Sequence, residues 1–244
     1  MSRWMPALAG IVGVLLGAGA MMGRNGLAWR ETDTRGRTEG IVHAYLLDHP
    51  EVIQEANQRL QDRETGRLIA ASRPAIETPV GDAFAGNPKG DVSVVEYYDY
   101  NCGFCRASLP TIAQLVRAEP SVRVVYRELP VLAQSSLVAA RASLLAAGQG
   151  RFRRFHDGLY AAGPVTDATI AAASRLAGVD TSRAAAERPG EDAAIRANLD
   201  VARHLGMAGT PAWVVGDRVL VGAQTLDQLR AAVAAARAAR GAAA

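Results

Sequence analysis

The sequence predicts an α/β sandwich that carries an inserted helical block and a helical extension ahead of it. Three observations predict this. Val92 to Tyr98 (VSVVEYY), rich in β-branched and aromatic residues, runs into Cys102-x-x-Cys105 and then into a stretch with helical apolar spacing. Ser121 to Glu128 (SVRVVYRE) is a second such run, and Ala212 to Val215 and Arg218 to Val221 are two short ones near the end. Between them, Ser135 to Gly206 reads as helix almost throughout.

The elements follow in chain order. Met5 to Met22 is 18 residues without a charge, with Arg3 before it and Arg24 after it. Residues 1–22 therefore read as a secretory signal cut after Ala18-Gly19-Ala20, or as a retained membrane anchor, since such a length can just span a bilayer. Both readings send the rest of the chain out of the cytoplasm, into a compartment where disulfides persist. Residues 23–37 are a polar linker. In residues 38–73, Ile41, Tyr45, Leu46, Ile53, Ala56 and Leu60 recur at helical spacing. Pro50 divides this stretch into two helices, with Asp48 as a cap for the second, which runs to about Ala71. Its apolar stripe needs a partner, either the main domain or the same stripe of a second copy.

The main domain spans residues 78–240. Pro74, Pro79 and Pro88 mark a loop-rich entry, and Thr78-Pro79-Val80 reads as an edge strand. After Val92–Tyr98 comes the cysteine pair and a helix to Ala118, which Pro110 should kink. The helical block at about 135–206 is expected to break at Gly148–Gly150, Gly163-Pro164, Gly178–Asp180 and Pro189-Gly190. Gly216-Asp217 signals a hairpin, and Thr225 caps a last helix to about Ala239.

Composition narrows the function. The net charge is +3 with no basic cluster, which argues against nucleic acid as a partner. Two cysteines cannot build a disulfide scaffold or a four-cysteine zinc site. They can build one redox pair. Cys102 falls at the start of a helix, where unpaired amides and the helix dipole favour a thiolate. Cys105, one turn on, can close a disulfide and move two electrons, so no cofactor is needed. An inert disulfide, half of a zinc site, and Cu(I) held by two thiolates are the other readings of the pair. His43, His49, His156 and His204 lack ligand spacing and read as surface or helix-packing residues.

Two further features point at the pair. Gly209-Thr210-Pro211 precedes a strand. A cis proline there would bring the Thr210 backbone near the cysteines and offer an amide edge to a substrate peptide; an ordinary strand-start proline is the plainer reading. Glu96 lies in an otherwise apolar strand, on one face with Val92, Val94 and Tyr98. Buried there, it would hold its proton and could relay it to or from Cys105; exposed, it would be a salt-bridged edge residue.

VEYYDYNCGFC together with the later GTPAWVV resembles the DsbA-like branch of the thioredoxin-fold superfamily over roughly residues 78–240. The resemblance implies a thioredoxin-like fold with an inserted helical subdomain. It implies Cys102 as attacking cysteine, Cys105 as resolving cysteine, Pro211 as cis-proline, Thr210 as its redox-tuning neighbour and Glu96 as buried acid. It further implies secreted proteins with cysteines as substrates and a membrane redox partner. The strongest oxidases of the family carry Pro-His between the cysteines; Gly103-Phe104 supplies no such histidine. YLLDHPEVIQEA is similar to the N-terminal helices of ScsC-like, copper-tolerance-associated members, which implies homo-oligomers built through them. The reading is then an exported thiol–disulfide oxidoreductase, with a copper-binding protein and a non-catalytic interaction protein as alternatives.

Overall fold

The computed structural model describes residues 34–243. The expected signal or anchor at 1–22 and most of the linker lie outside the described residues. Among those described, no helix is long and apolar enough to cross a membrane.

The N-terminal unit holds α1 (residues 34–48) and the start of α2 (Glu51–Glu77). α1 begins before the expected boundary at 38. Thr38 Oγ1 donates to the Thr34 carbonyl at 2.9 Å, and Arg35 pairs with Glu39 at 3.0 Å, so the polar residues at 34–37 add a helical turn. The break falls at His49-Pro50, and Asp48 ends α1 instead of capping α2. Ile41, Val42, Tyr45, Leu47 and Ile53 are all exposed in this unit.

The second unit is a five-stranded mixed sheet between helical layers. The strands are β1 (Phe84–Gly86), β2 (Val92–Tyr98), β3 (Val122–Glu128), β4 (Ala212–Val215) and β5 (Arg218–Val221), in the order β1-β3-β2-β4-β5. β2 and β3 are parallel and the other neighbours antiparallel. The helices are α3 (Gly103–Ala118), α4 (Gln134–Gly148), α5 (Phe152–Ala161), α6 (Asp167–Ala177), α7 (Ala184–His204) and α8 (Leu226–Ala243).

β2 is buried along its whole length because both faces are covered. Val92, Val94 and Tyr98 pack with Val124, Trp213 and residues of α3, α5 and α8. Val95 and Tyr97 face the other way, onto Ile69 and Ile76 of α2 and Ala202 of α7. Thr225 caps α8, accepting from Gln228 N at 3.2 Å while the Gln228 side chain accepts from Thr225 N at 2.8 Å. Gly216, at φ +60, turns the hairpin where a Cβ would lie 2.8 Å from Ala236 on α8.

Three proline readings are corrected. α2 runs through Pro74 to Glu77, and α7 runs through Pro189 without the expected break. Each proline leaves the carbonyl four residues back without its helical donor. Those residues, Ala70 and Ala185, are exposed, so water can serve the carbonyls while Ile76 and Ile195 hold the helices through burial. Pro110, the expected kink, lies inside α3. Thr78-Pro79-Val80 is no strand; the edge is β1, where Tyr126 N donates to the Ala83 carbonyl at 3.0 Å. The Thr78 carbonyl is occupied by Arg127 instead. Arg127 also donates through Nε to the Ile76 carbonyl at 3.1 Å, and Arg123 reaches that of Glu77 at 3.2 Å. Two β3 arginines thus cap the carbonyl end of α2, which lacks a glycine cap.

Candidate active site

The site lies where β2 ends and α3 begins. Cys102 is the N-cap residue of α3, with φ −82 and ψ 114, and its Sγ accepts from the Cys105 amide at 3.3 Å. The helix starts there because the sulfur replaces the usual capping oxygen. Both cysteines are free thiols. Cys102 keeps 5% of its surface and Cys105 only 1%. Burial, then the nearby Glu96 carboxyl, push the Cys105 thiol far above its ordinary value.

The loop before β4 folds back onto the pair. Thr210-Pro211 is a cis peptide, and the Cys102 thiol donates to the Thr210 carbonyl at 3.2 Å. The Thr210 hydroxyl is buried without a partner. Pro211 is buried, and its carbonyl accepts from Gly222 N at 2.8 Å, which ties this bend to the end of β5.

Glu96 sits beneath. It is paired in register with Tyr126 on β3 and Trp213 on β4, and 1% of it is exposed. Its Oε1 has no hydrogen-bond partner. Burial above all, and then charge on Cys102, raise its carboxyl well above the carboxylate range. Its surroundings therefore favour the protonated carboxyl, and it lies close enough to both sulfurs for negative charge on it and on either sulfur to disfavour each other. The exposed, salt-bridged alternative for Glu96 does not hold.

The structure brings all five sequence-predicted residues to one place: Glu96, Cys102, Cys105, Thr210 and Pro211. It also adds residues that the sequence reading missed. Asp99 is 1% exposed; its Oδ1 accepts from Asn101 N at 2.8 Å, and its Oδ2 from Val131 N and Leu132 N at 2.9 and 3.0 Å. Its carbonyl accepts from Cys102 N at 3.0 Å and from the Tyr160 hydroxyl at 3.2 Å. The Asn101 amide reaches Ser135 and Ser136 at the start of α4. The Asp-x-Asn spacing is the signal of such a turn. Phe104, Val131 and Leu132 stand exposed around it, 49–69% open.

Behind the loop lies a buried polar cluster. Tyr98 donates to Glu128, Tyr100 donates to Ser143 at 3.0 Å, and the Tyr100 hydroxyl meets His156 Nδ1 at 3.1 Å. Burial pushes Glu128 up to about 8 and His156 down to about 3, so His156 is neutral. His156 is a packing residue, enclosed by Tyr98, Tyr126, Phe152 and Tyr160 rings. No group of three or more potential metal-ligating side chains occurs among the described residues.

A "DSBA-like thioredoxin domain" family model matches residues 93–234, and one for the "copper resistance protein ScsC N-terminal domain" matches residues 38–65. Among solved structures, a thioredoxin-like oxidoreductase from Silicibacter pomeroyi DSS-3 is 38% identical, with a TM-score of 0.62 over 68% of this chain and 97% of that one. The thiol-disulfide exchange protein alpha-DsbA2 from Wolbachia pipientis is 26% identical, with a TM-score of 0.65 over 72% and 97%. A Proteus mirabilis ScsC variant is 25% identical, with a TM-score of 0.65 over 84% and 95%. The curated relatives that match include the Na(+)/H(+) antiporter NhaA 1 of Salinispora arenicola, 31% identical over 184 residues. These make up 71% of this chain, which spans 28% of the antiporter's length. With its strand-to-helix cysteine pair facing a cis Thr210-Pro211 bend, and with that family match over residues 93–234, the chain belongs to the DSBA-like thioredoxin domain family.

Proposed function

We propose that the protein is an exported thiol–disulfide oxidoreductase acting on other secreted proteins through Cys102 and Cys105. The observation that carries this is the setting of the Cys102 sulfur, held between the Cys105 amide and the Thr210 carbonyl above a buried acid.

In the oxidising direction, a substrate thiolate attacks Cys102 of the disulfide form and Cys105 leaves with the electron pair. Glu96 gives its proton to Cys105, whose burial disfavours a standing thiolate. A second substrate thiolate then attacks the substrate sulfur, releasing an oxidised substrate and a Cys102 thiolate. Two electrons pass to the protein, and a membrane redox partner must remove them. In the isomerising direction, a Cys102 thiolate attacks a wrong disulfide, and Cys105 resolves stalled mixed disulfides. Phe104, Val131 and Leu132 offer apolar surface to unfolded chains, and the Thr210 backbone offers a strand-like edge.

The isomerase reading is favoured by the exposed apolar residues of α1, which call for a second copy of the chain. Analytical ultracentrifugation with and without residues 38–71 tests it; equal masses refute it. The apolar leader at Met5 to Met22 supports export. A copper role would rest on the two thiols alone, and the absence of a tight Cu(I) complex on titrating the reduced protein would remove it. Refolding of reduced and scrambled ribonuclease tests the main reading. Cys102→Ala should abolish the activity, and unchanged activity would sink the thiol mechanism. The reduction potential against glutathione then sorts the direction. A value on the order of −120 mV means oxidase and one near about −270 mV reductase.

A further inference from the structure

The end of α5 and the turn after it hold the cysteine turn from both sides. Ahead of the pair, the Tyr160 hydroxyl donates to the Asp99 carbonyl at 3.2 Å, and the same carbonyl receives the Cys102 amide at 3.0 Å. Beyond the pair, Arg106 Nη2 donates to the Gly163 carbonyl at 2.7 Å. The Arg106 guanidinium also lies over the Tyr160 ring, 5.9 Å from its centroid. Gly163 sits at φ +93, a backbone conformation that glycine takes without strain, and this turns its carbonyl to face α3.

Neither contact is what packing alone would require. A buried tyrosine needs one acceptor, and any core carbonyl would serve. Arg106 is exposed, where stability asks for no particular partner. Yet Tyr160 and Gly163 reach residues 99 and 106, which bracket Cys102 and Cys105. Tyr160 is 4% exposed and packs in one apolar cluster with both cysteines. Its ring is held by Tyr100 and His156, with centroids 4.9 and 5.0 Å away. Phe152, Phe155 and Leu159 bury the rest of the α5 face, so the turn is tied to a fixed element.

We propose that Tyr160 and Arg106 are positioning residues that hold Cys105 in line with the Cys102 sulfur for the resolving step, an inference that rests on the thiol reading above. In that step the Cys105 sulfur attacks Cys102 of the mixed disulfide. The Cys102–Cys105 bond forms, the bond from Cys102 to the substrate breaks, and the substrate sulfur leaves with the electron pair. The protein is oxidised and the substrate reduced, and the Cys105 proton ends on the released substrate thiol. Closing the ring within one helical turn depends on keeping the two sulfurs in attacking geometry. A turn tied at both ends keeps them there, and a turn freed at one end does not. Attack by Cys102 on an outside disulfide does not use Cys105, so the strap acts on the second step.

The test mixes the reduced full chain with a peptide–glutathione disulfide, quenches with acid and follows the mixed disulfide by mass spectrometry. Its rise reads attack by Cys102, and its decay reads resolution by Cys105. Tyr160→Phe removes only the hydroxyl. Arg106→Lys keeps the charge, ends one bond short of Gly163 and loses the planar stack. In each variant decay should slow by about fivefold or more, while rise stays within about twofold. The equilibrium constant for forming the Cys102–Cys105 disulfide against glutathione should fall by about threefold or more. Arg106→Lys, on the surface, serves if Tyr160→Phe fails to fold. Native decay with a native glutathione constant, or equal slowing of rise and decay, overturns the proposal even where urea midpoints fall. If the unaltered chain forms no mixed disulfide at all, the thiol reading itself fails, and the strap with it.

Discussion

The Cys102 thiol donates to the Thr210 carbonyl at 3.2 Å, joining residues 108 apart in the chain. The contact places the strand-like Thr210 edge against the more open of the two sulfurs. It also sets Cys105 behind Cys102, with its thiol pushed up by burial and by Glu96.

That asymmetry predicts the order of reaction. In the reduced protein, iodoacetamide should label Cys102 at least tenfold faster than Cys105, because the thiolate is the nucleophile and access limits both. Cys105→Ala should accumulate a mixed disulfide through Cys102 when offered a peptide disulfide, visible by mass spectrometry. Equal labelling, or a mixed disulfide on Cys105 in Cys102→Ala, would contradict the assignment.

Glu96 should separate stability from turnover. Its Oε1 is buried without a partner, so Glu96→Leu should leave the reduced protein as stable as before or firmer by about 1–3 kcal/mol in urea unfolding. The same change removes the group that exchanges a proton with Cys105. Release of the mixed disulfide by Cys105 should therefore slow by about tenfold to a hundredfold, near the lower end of general acid–base effects. Slower release should persist in Glu96→Gln, which keeps the shape and lacks the titrating proton. Normal release in both variants would remove Glu96 from the proposed relay.

Glu128 should give the fold a pH dependence. Folding raises its carboxyl from 4.5 to about 8 because burial strips it of water, which outweighs the hydrogen bonds of Ser143 and Tyr98 that pull the other way. The raised value means that the native state holds a proton that the unfolded chain releases. Its stabilising contribution is complete below about pH 4.5, declines as pH rises, and is fully lost above about pH 8. Glu96 adds to the same slope, its carboxyl also being raised. Urea midpoints should fall across this window, and Glu128→Gln should flatten part of the fall. A wild-type midpoint that rises with pH would refute the protonated assignment.

Arg127 should be a main support of α2 on the sheet. It is 5% exposed and donates to the carbonyls of Ile76 and Thr78. Arg127→Ala leaves both carbonyls unpaired inside the fold and removes a side chain from the interface. A loss of about 2–4 kcal/mol is expected, with faster hydrogen exchange at residues 69–78. A loss below about 0.5 kcal/mol would show that apolar packing of Ile69 and Ile76 suffices.

Much of this was legible in the sequence, and the rest was hidden for physical reasons. β2 was readable because five of its seven residues, Val92, Val94, Val95, Tyr97 and Tyr98, are β-branched or aromatic, and alternation alone put Glu96 with Val94 and Tyr98. The hairpin was readable from Gly216-Asp217. Pro74 and Pro189 misled because a proline's penalty is local, and an exposed carbonyl behind it reduces that penalty to a solvated hydrogen bond. β1 was hidden because Phe84-Ala85-Gly86 is strand only by pairing with β3. Asp99 was hidden for a similar reason: two of its three donors come from residues 32 and 33 positions on, which no local pattern reveals.

Asp99 yields the last prediction. One carboxylate oxygen holds the cysteine loop through Asn101 N, and the other holds the loop after β3 through Val131 N and Leu132 N. Asparagine has one acceptor oxygen and a donor NH₂. In Asp99→Asn the oxygen can serve one arm, and the NH₂ must then face the amides of the other. The chain should lose about 1–3 kcal/mol from the unpaired donors, and one of the two loops should loosen. If the amide turns its oxygen to Val131 and Leu132, the freed segment is Asn101-Cys102, and mixed-disulfide formation should slow while resolution by Cys105 is unchanged. If it turns to Asn101, residues 131–136 should gain hydrogen exchange and the thiol kinetics should hold. Native exchange and native kinetics together would show that neither the second acceptor oxygen nor the charge of a carboxylate is needed at position 99 to tie the loops.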